Sequence, residues 1–337
     1  MIYDCFPFFN ELDVLDIRLN TLNDVVDKFV LVEAAFTHTG KPKELIFEAN
    51  KERFSAFLGK IIHIKLTEKP EPPPGGTERE QRWFLENFQR NQIIQGLVSA
   101  RPDDTIMISD CDEIPDPAIV ERLPKIGGIS RFKPRAYYYY LNLRNCTSPF
   151  FGNGTVALTY GKFTDPATYQ AFPYQVFVPI RYNSPPTATL VRYLDADKHF
   201  KAGWHFSYIG GVQAIKRKIN STADGNDLGM ANMPEEEIEC RMRRGEDLFG
   251  RGDRFIPEPI DKLYPKYILD NQKLFSRLVL PATREECAAL RLHKWKELAR
   301  GFITRFPQEH FYPFAGALRR KIKRVFCTSK IRSSQTT

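Results

Sequence analysis

Ser109-Asp110-Cys111-Asp112-Glu113-Ile114-Pro115 sets three acids within four positions, directly after Thr105-Ile106-Met107-Ile108, four residues suited to a strand buried on both faces. The proline stops that strand from continuing. A doubly buried strand ends in clustered charge where its end opens onto a ligand, and open α/β sheets bind ligands beyond the carboxyl ends of their strands. Asp110 and Asp112, at i and i+2, point the same way if the strand continues and diverge if the chain turns at Cys111. In either case both are expected to reach one hard cation, and oxygen donors favour Mg²⁺ or Mn²⁺. The competing reading is an acidic turn that caps a helix begun at Pro117.

The elements that must position this turn are legible upstream. Ile2 to Phe9 reads as a strand, followed by a helix from Glu11 to Leu22 with Leu12, Leu15, Leu19 and Leu22 at helical spacing. Phe29-Val30-Leu31-Val32 is a second buried strand ending at Glu33, with a polar loop Thr37 to Pro42 behind it. A helix from Asn50 to Leu58 and a strand Ile61-Ile62-His63-Ile64 complete the start of a parallel, doubly wound sheet. Glu71-Pro72-Pro73-Pro74-Gly75-Gly76 is a stiff loop over one edge of the cleft. The spacing then predicts a helix over Thr77 to Val98 that buries Trp83, Phe84, Phe88, Ile94 and Val98, with Asn87 and Asn91 in the same arc.

Beyond Pro115 the alternation of strand and helix is lost. Tyr137 to Tyr140 is a β-like aromatic run, short strands continue to about Tyr193, and Gly203 to Tyr208 is one more strand. Helices are expected over Val212–Ile219, Pro234–Arg244 and Arg284–Arg300. The organisation expected is one catalytic domain over 1–315, divided into 1–115, an antiparallel or irregular half over 116–280 and a helical part over 281–315, with a basic tail over 316–337.

The chain's 337 residues, 42% hydrophobic, suffice for a large core. From His310 onward there are seven Lys or Arg and no acid, so of the formal +8 about +1 belongs to everything before it. The basic character is therefore that of a tail, and a nucleic-acid surface is excluded as the explanation. The tail is a candidate for peripheral contact with an anionic membrane. Six scattered cysteines with no metal-ligand spacing argue against structural zinc and read as mostly reduced. With no signal-like start and no long apolar run, the expectation is a soluble, cytoplasmic protein, a Golgi-type lumen being left open.

Two enzyme classes place Asp-x-Asp at the end of a buried strand. In the haloacid dehalogenase superfamily the first Asp attacks a phosphate, and Ala223-Asp224-Gly225-Asn226-Asp227 looks like that superfamily's late acidic motif. Against it, Ile114 sits where Thr or Val is wanted, and no apolar strand leads into Asp224. In the other class the acids hold a divalent ion against the diphosphate of a nucleotide sugar. Leu12-Asp13-Val14-Leu15-Asp16-Ile17-Arg18-Leu19 and Asp24-Val25-Val26-Asp27-Lys28-Phe29-Val30 resemble the N-terminal signature of glycosyltransferase family 17. So do Pro73-Pro74-Gly75-Gly76, Arg101-Pro102-Asp103-Asp104, the Ser109–Pro115 block, Ala202-Gly203-Trp204-His205-Phe206-Ser207 and Pro265-Lys266-Tyr267-Ile268-Leu269.

The resemblance implies a GT-A-like α/β fold, UDP-N-acetylglucosamine as donor, a glycan as acceptor, Mn²⁺ or Mg²⁺ as the metal, and inversion at the anomeric carbon. It implies metal ligation by Asp110 and Asp112 and recruits His205, at the end of a strand, as a third ligand. Glu113 is the first choice of general base, with Asp224 and Asp227 in reserve. Glu33 and Thr37 are placed to bind nucleotide by fold analogy, Glu33 being equally suited to capping its loop. Trp204 is a candidate sugar-stacking residue with core packing as the alternative. A carbohydrate-binding protein without catalysis is the alternative of another class.

Overall fold

The computed structural model describes residues 1–165, 167–170, 196–223 and 233–281. All of these lie in one compact unit, Met1–Cys287. The expected helix Arg284–Arg300, the basic tail, Asp224 and Asp227 lie outside the described residues, as does most of the stretch leading to Tyr193.

Strand alternation decides the layering. In β1 (Ile2–Phe8) the side chains of Ile2, Phe6 and Phe8 enter one apolar cluster, while Tyr3 and Cys5 enter another on the opposite face. β2 (Lys28–Ala34) divides in the same way, with Phe29 and Leu31 on the first face and Val30, Val32 and Ala34 on the second. β3 (Ile61–Leu66) and β4 (Thr105–Ile108) flank this pair, and β1, β2, β3 and β4 are mutually parallel. The two-sided burial explains why β2 and β4 read as continuous apolar runs.

The helix Leu12–Leu22 covers the first face. Leu15, Ile17, Leu19 and Leu22 are fully buried there, each contributing roughly 2 kcal/mol. That gain outweighs the several kcal/mol of desolvation that Arg18, fully buried on the same helix, brings with it.

The expected helix Asn50–Leu58 is instead a short helix Ile46–Ala49 followed by a 3₁₀ segment Lys51–Phe57. The long helix after the proline loop runs over Glu78–Asn91, started by a capping box of Thr77 and Glu80, and tightens to 3₁₀ over Gln92–Leu97. Gly96 lies so close to β2 that a Cβ there would stand 2.3 Å from Val30 Cγ1. The 3₁₀ turn presses Ile93 and Leu97 inward and leaves Val98 at 85% exposure, contrary to the continuous helical face expected from spacing.

Five further strands belong to a second sheet. Its order is β12 (Phe255–Pro257), β8 (Leu143–Asn145), β7 (Arg135–Tyr138), β11 (Trp204–Ser207) and β5 (Glu113–Ile114), antiparallel except between β7 and β11. The remaining strands return to the first sheet, which reads β10 (Lys198–Phe200), β6 (Ser130–Phe132), β9 (Val156–Thr159), β4, β1, β2, β3. The architecture is thus mixed α/β, with a first sheet of mostly parallel strands. Of the segments after residue 116, β6, β9 and β10 extend the first sheet, while β7, β8, β11 and β12 make up most of the second.

Gly203 joins the two regions. It has φ of 91°, and a Cβ there would stand 2.4 Å from the Ile114 carbonyl oxygen. Only glycine lets β11 approach β5 this closely and bring His205 opposite Glu113.

Candidate functional site

The strand order 3-2-1-4 reverses between β1 and β4, and a crevice at the carboxyl ends of two such strands is where open sheets admit ligands. β1 runs out through Phe9 and Asn10 to Glu11. β4 runs out into the acidic turn. The site is therefore built from the two chain segments that the topology separates.

The turn has its own scaffold. Arg18 Nε and Nη2 donate to Asp4 at 2.7 and 2.5 Å, a fork-to-carboxylate pair inside the first apolar layer. Its Nη1 donates to the carbonyls of Asp110, Cys111 and Glu113 at 2.9, 3.1 and 2.8 Å, and Nη2 also reaches Ser109 Oγ at 2.6 Å. One buried guanidinium thus holds three carbonyls of the acidic turn. The Glu113 amide closes the turn on the Asp110 carbonyl at 3.0 Å.

Because the chain turns, the two aspartates diverge. Asp110 accepts from Arg90 Nη1 at 2.7 Å, and Arg90 Nη2 donates in turn to Glu86 at 3.1 Å. Asp112 faces the other way. Its Oδ2 accepts from Lys218 Nζ at 2.8 Å, and its Oδ1 lies 3.6 Å from His205 Nε2. Lys218 Nζ also meets Glu11 Oε1 at 3.3 Å. Burial pushes the Asp112 carboxyl up, but the Lys218 ammonium and His205 outweigh it and hold the group far below the usual carboxylate range. Burial pulls Lys218 down, and Asp112 with Glu11 more than reverses this, leaving its pKa well above the ordinary lysine value. Both groups are charged at neutral pH. Cys111, between the acids, is pushed well up by burial and is a neutral thiol.

Aromatic rings close the far side. The Phe151 ring lies 4.3 Å from that of His205, Tyr138 lies 5.9 Å away, and Tyr138 stacks on Tyr208 at 6.4 Å. Tyr139 and Tyr208 hold φ of 67° and 56°, conformations that cost side-chain-bearing residues energy and cluster at functional sites.

The other expected site residues fall as follows. Glu33 is fully buried and accepts from the Phe47 amide at 2.8 Å and lies 3.1 Å from His63 Nε2, so its carboxylate starts the short helix Ile46–Ala49. Thr37 is buried, with its hydroxyl 2.9 Å from Thr39 Oγ1 and accepting from the Lys41 amide at 3.1 Å. Trp204 packs in the first apolar cluster and donates its indole N–H to the Leu263 carbonyl at 2.8 Å. Glu113 is buried, with Oε2 accepting from the Asp110 amide at 3.2 Å.

Sequence reasoning missed Glu11, Arg18, Arg90 and Lys218. On the Glu78–Asn91 helix it noted Asn87 and Asn91 in the inner arc and passed over their neighbours, where Gln89 donates to the Phe8 and Val32 carbonyls, Arg82 to that of Ala223, and Arg90 to Asp110.

The metal expectation is tested by the same distances. Ligands about 2.1 Å from a small divalent ion stand no more than about 4.2 Å apart, and the Asp112 and His205 atoms at 3.6 Å meet that bound. Asp110 is turned to Arg90, and among the described residues no three His, Cys, Asp or Glu side chains converge. Two of the three expected ligands are therefore together. The position beside them is held by the Lys218 ammonium. A divalent ion within about 4 Å of an ammonium is repelled by roughly 8 kcal/mol at an effective dielectric near 20, so the two cations do not share the place.

The comparisons with known proteins agree with the class that the sequence blocks indicate, the glycosyltransferases. Residues 1–146 match the model of glycosyltransferase family 17. The chain is similar to beta-1,4-mannosyl-glycoprotein 4-beta-N-acetylglucosaminyltransferase of Rattus norvegicus, 30% identical over 301 residues that cover 82% of this chain and 54% of the relative. The enzyme of the same name from Homo sapiens is 30% identical over 295 residues, covering 80% of this chain and 53% of the relative. The chain spans about half the length of the curated relatives it matches.

These relatives correct the expected cytoplasmic location. They are named for a mannosyl-glycoprotein acceptor. Among the described residues no helix is long and apolar enough to cross a membrane, and that does not fix a compartment.

Proposed function

We propose that this chain is an inverting, GT-A-like glycosyltransferase that moves N-acetylglucosamine from UDP-N-acetylglucosamine to a sugar hydroxyl of a glycan, with mannose as the acceptor sugar. The observation that carries this reading is the charged Asp112, set with His205, Lys218 and Glu11 at the reversal of strand order. The names of the relatives supply donor sugar and acceptor class.

Asp112 and His205 would hold the divalent ion. When bound, the ion supplies positive charge against the diphosphate that departs. The chain's own residues do the positioning. Arg18 fixes the turn from behind, and Arg90 keeps Asp110 off the Asp112 side. The loop of Thr37 and Glu33 stiffens the wall beside β1, and the rings of Phe151, Tyr138 and Tyr208 limit water on the acceptor side.

An inverting transfer needs a base at the acceptor hydroxyl. Glu113 is engaged within the turn, so Asp224, the next residue after Ala223, is the base we favour.

A screen of nucleotide sugars, read by released nucleotide, tests the donor assignment. UDP release from UDP-N-acetylglucosamine should exceed that from the other donors. Release from none of them, with or without Mn²⁺, would leave a sugar-binding protein without turnover.

A further inference from the structure

The loop between the helix Glu235–Arg244 and β12 is organised around one carboxylate. Asp247, its side chain at 3% exposure, accepts from the Phe249 and Arg251 amides and from Arg251 Nη2 at 3.0 Å. The Leu248 amide donates at 3.1 Å to the hydroxyl of Tyr139, itself in the left-handed region. This frame presents Arg251, whose guanidinium lies over the rings of Phe249 at 4.7 Å and Tyr138 at 5.2 Å. The side chain is 43% exposed, so the group is held on its rings and open at its edge. A guanidinium carries five N–H donors in one plane, and Asp247 engages only Nη2.

Tyr208 stands on the same wall, half-buried. Its ring stacks on Tyr138 at 6.4 Å, packs on Phe249 at 4.7 Å and lies 5.3 Å from Lys218 Nζ. Burial pushes its phenol up, and the charges of Lys218, Asp112 and Arg251 all act on it, so the three lie around one phenol. The Tyr208 hydroxyl nevertheless has no hydrogen-bond partner among the described residues. A desolvated hydroxyl without a partner is costly, and a ligand hydroxyl would remove the cost. The backbone at φ of 56° adds a second cost at the same residue. The charge balance selects the ligand. Arg251 is neutralised by Asp247, so the pair offers hydrogen bonds without net charge. That suits the adjacent hydroxyls of a neutral sugar, which match the rigid fork of a guanidinium edge, better than a phosphate or carboxylate.

We propose that Arg251 and the Tyr208 hydroxyl form the subsite for the acceptor sugar, the guanidinium edge donating to two adjacent ring hydroxyls and Tyr208 bonding a further one. The sugar is thereby held against the wall of Tyr138 and Tyr208, beside Asp112 and Lys218. The assignment rests on the glycosyltransferase reading for the sugar's role as acceptor, but not for its binding.

A mannose-terminated glycan and UDP with Mn²⁺, each titrated into the full chain by isothermal calorimetry, test this. Arg251→Met should bind the glycan at least about tenfold more weakly, the loss expected for hydrogen bonds from a charged donor. Arg251→Lys keeps the charge without the fork and should also bind it more weakly. Tyr208→Phe, which keeps the ring and its packing, should bind the glycan about fivefold more weakly and serves if Arg251→Met does not fold. UDP affinity should be the same in every variant. Glycan affinity unchanged in Tyr208→Phe or in either Arg251 variant, or a loss of UDP affinity in place of glycan affinity, overturns the subsite. So does an unaltered protein that binds no glycan. Transfer is assayed separately. Glycan binding that depends on both residues without transfer defeats the enzyme reading alone, and transfer with glycan binding indifferent to both defeats this inference alone.

Discussion

Asp112→Asn is expected to lower sugar transfer by at least about a hundredfold while the protein stays folded. The substitution keeps the side-chain volume and leaves the Asp112 carbonyl to accept the Phe206 amide, so β5 and β11 remain paired. What it removes is the negative charge that Lys218 and His205 face. Loss of one electrostatic contact to developing charge costs about 10²–10³ in turnover in well-studied sites. Asp112→Ala should be equally inactive and less stable, because it leaves the Lys218 and His205 side chains without their buried carboxylate. Transfer by Asp112→Asn within about threefold of the unaltered protein, with circular dichroism unchanged, would remove Asp112 from the chemistry.

Arg18→Met should show the largest loss of stability. It leaves Asp4 as an unpaired buried carboxylate, a change that costs about 3–5 kcal/mol. For a domain of this size that corresponds to a fall in melting temperature on the order of 10 °C. The companion variant Arg18→Met/Asp4→Leu replaces both partners with apolar groups, and replacing both is often neutral. It should recover most of the stability but little of the transfer, because the carbonyls of Asp110, Cys111 and Glu113 have still lost the donor that holds them. Thermal unfolding and turnover measured on both variants separate the roles. An Arg18→Met protein that melts with the unaltered one, or a double variant with full transfer, would show that the guanidinium does not position the turn.

How far the sequence reveals this site follows from which forces are local. The buried strand ending in acids was readable because burial on both faces removes alternation and makes the charges after Ile108 conspicuous. Asp4, an acid within the apolar run of β1, passed unremarked, and its partner lies on the covering helix. Arg18 sits 14 positions away and follows no local rule that names it. Lys218 belongs to a basic stretch, Lys216-Arg217-Lys218, and is distinguished from its neighbours only by sharing a helical arc with the buried Ile215. Glu11 read as a helix start, since nothing in the first strand discloses what stands opposite its end. The divergence of Asp110 and Asp112 was left open by spacing and is decided by the hydrogen bond from the Glu113 amide to the Asp110 carbonyl. The polar inner face of the Glu78–Asn91 helix escaped the apolar pattern because that helix lies over strand ends and loops, where carbonyls need donors.

The central claim is tested most directly by incubating the full chain with UDP-N-acetylglucosamine and a mannose-terminated glycan and determining the linkage of the product by nuclear magnetic resonance. The account predicts N-acetylglucosamine joined to the acceptor with β configuration, the inverse of the α-linked donor. A product of α configuration, or donor and acceptor both unchanged with and without Mn²⁺, would contradict it.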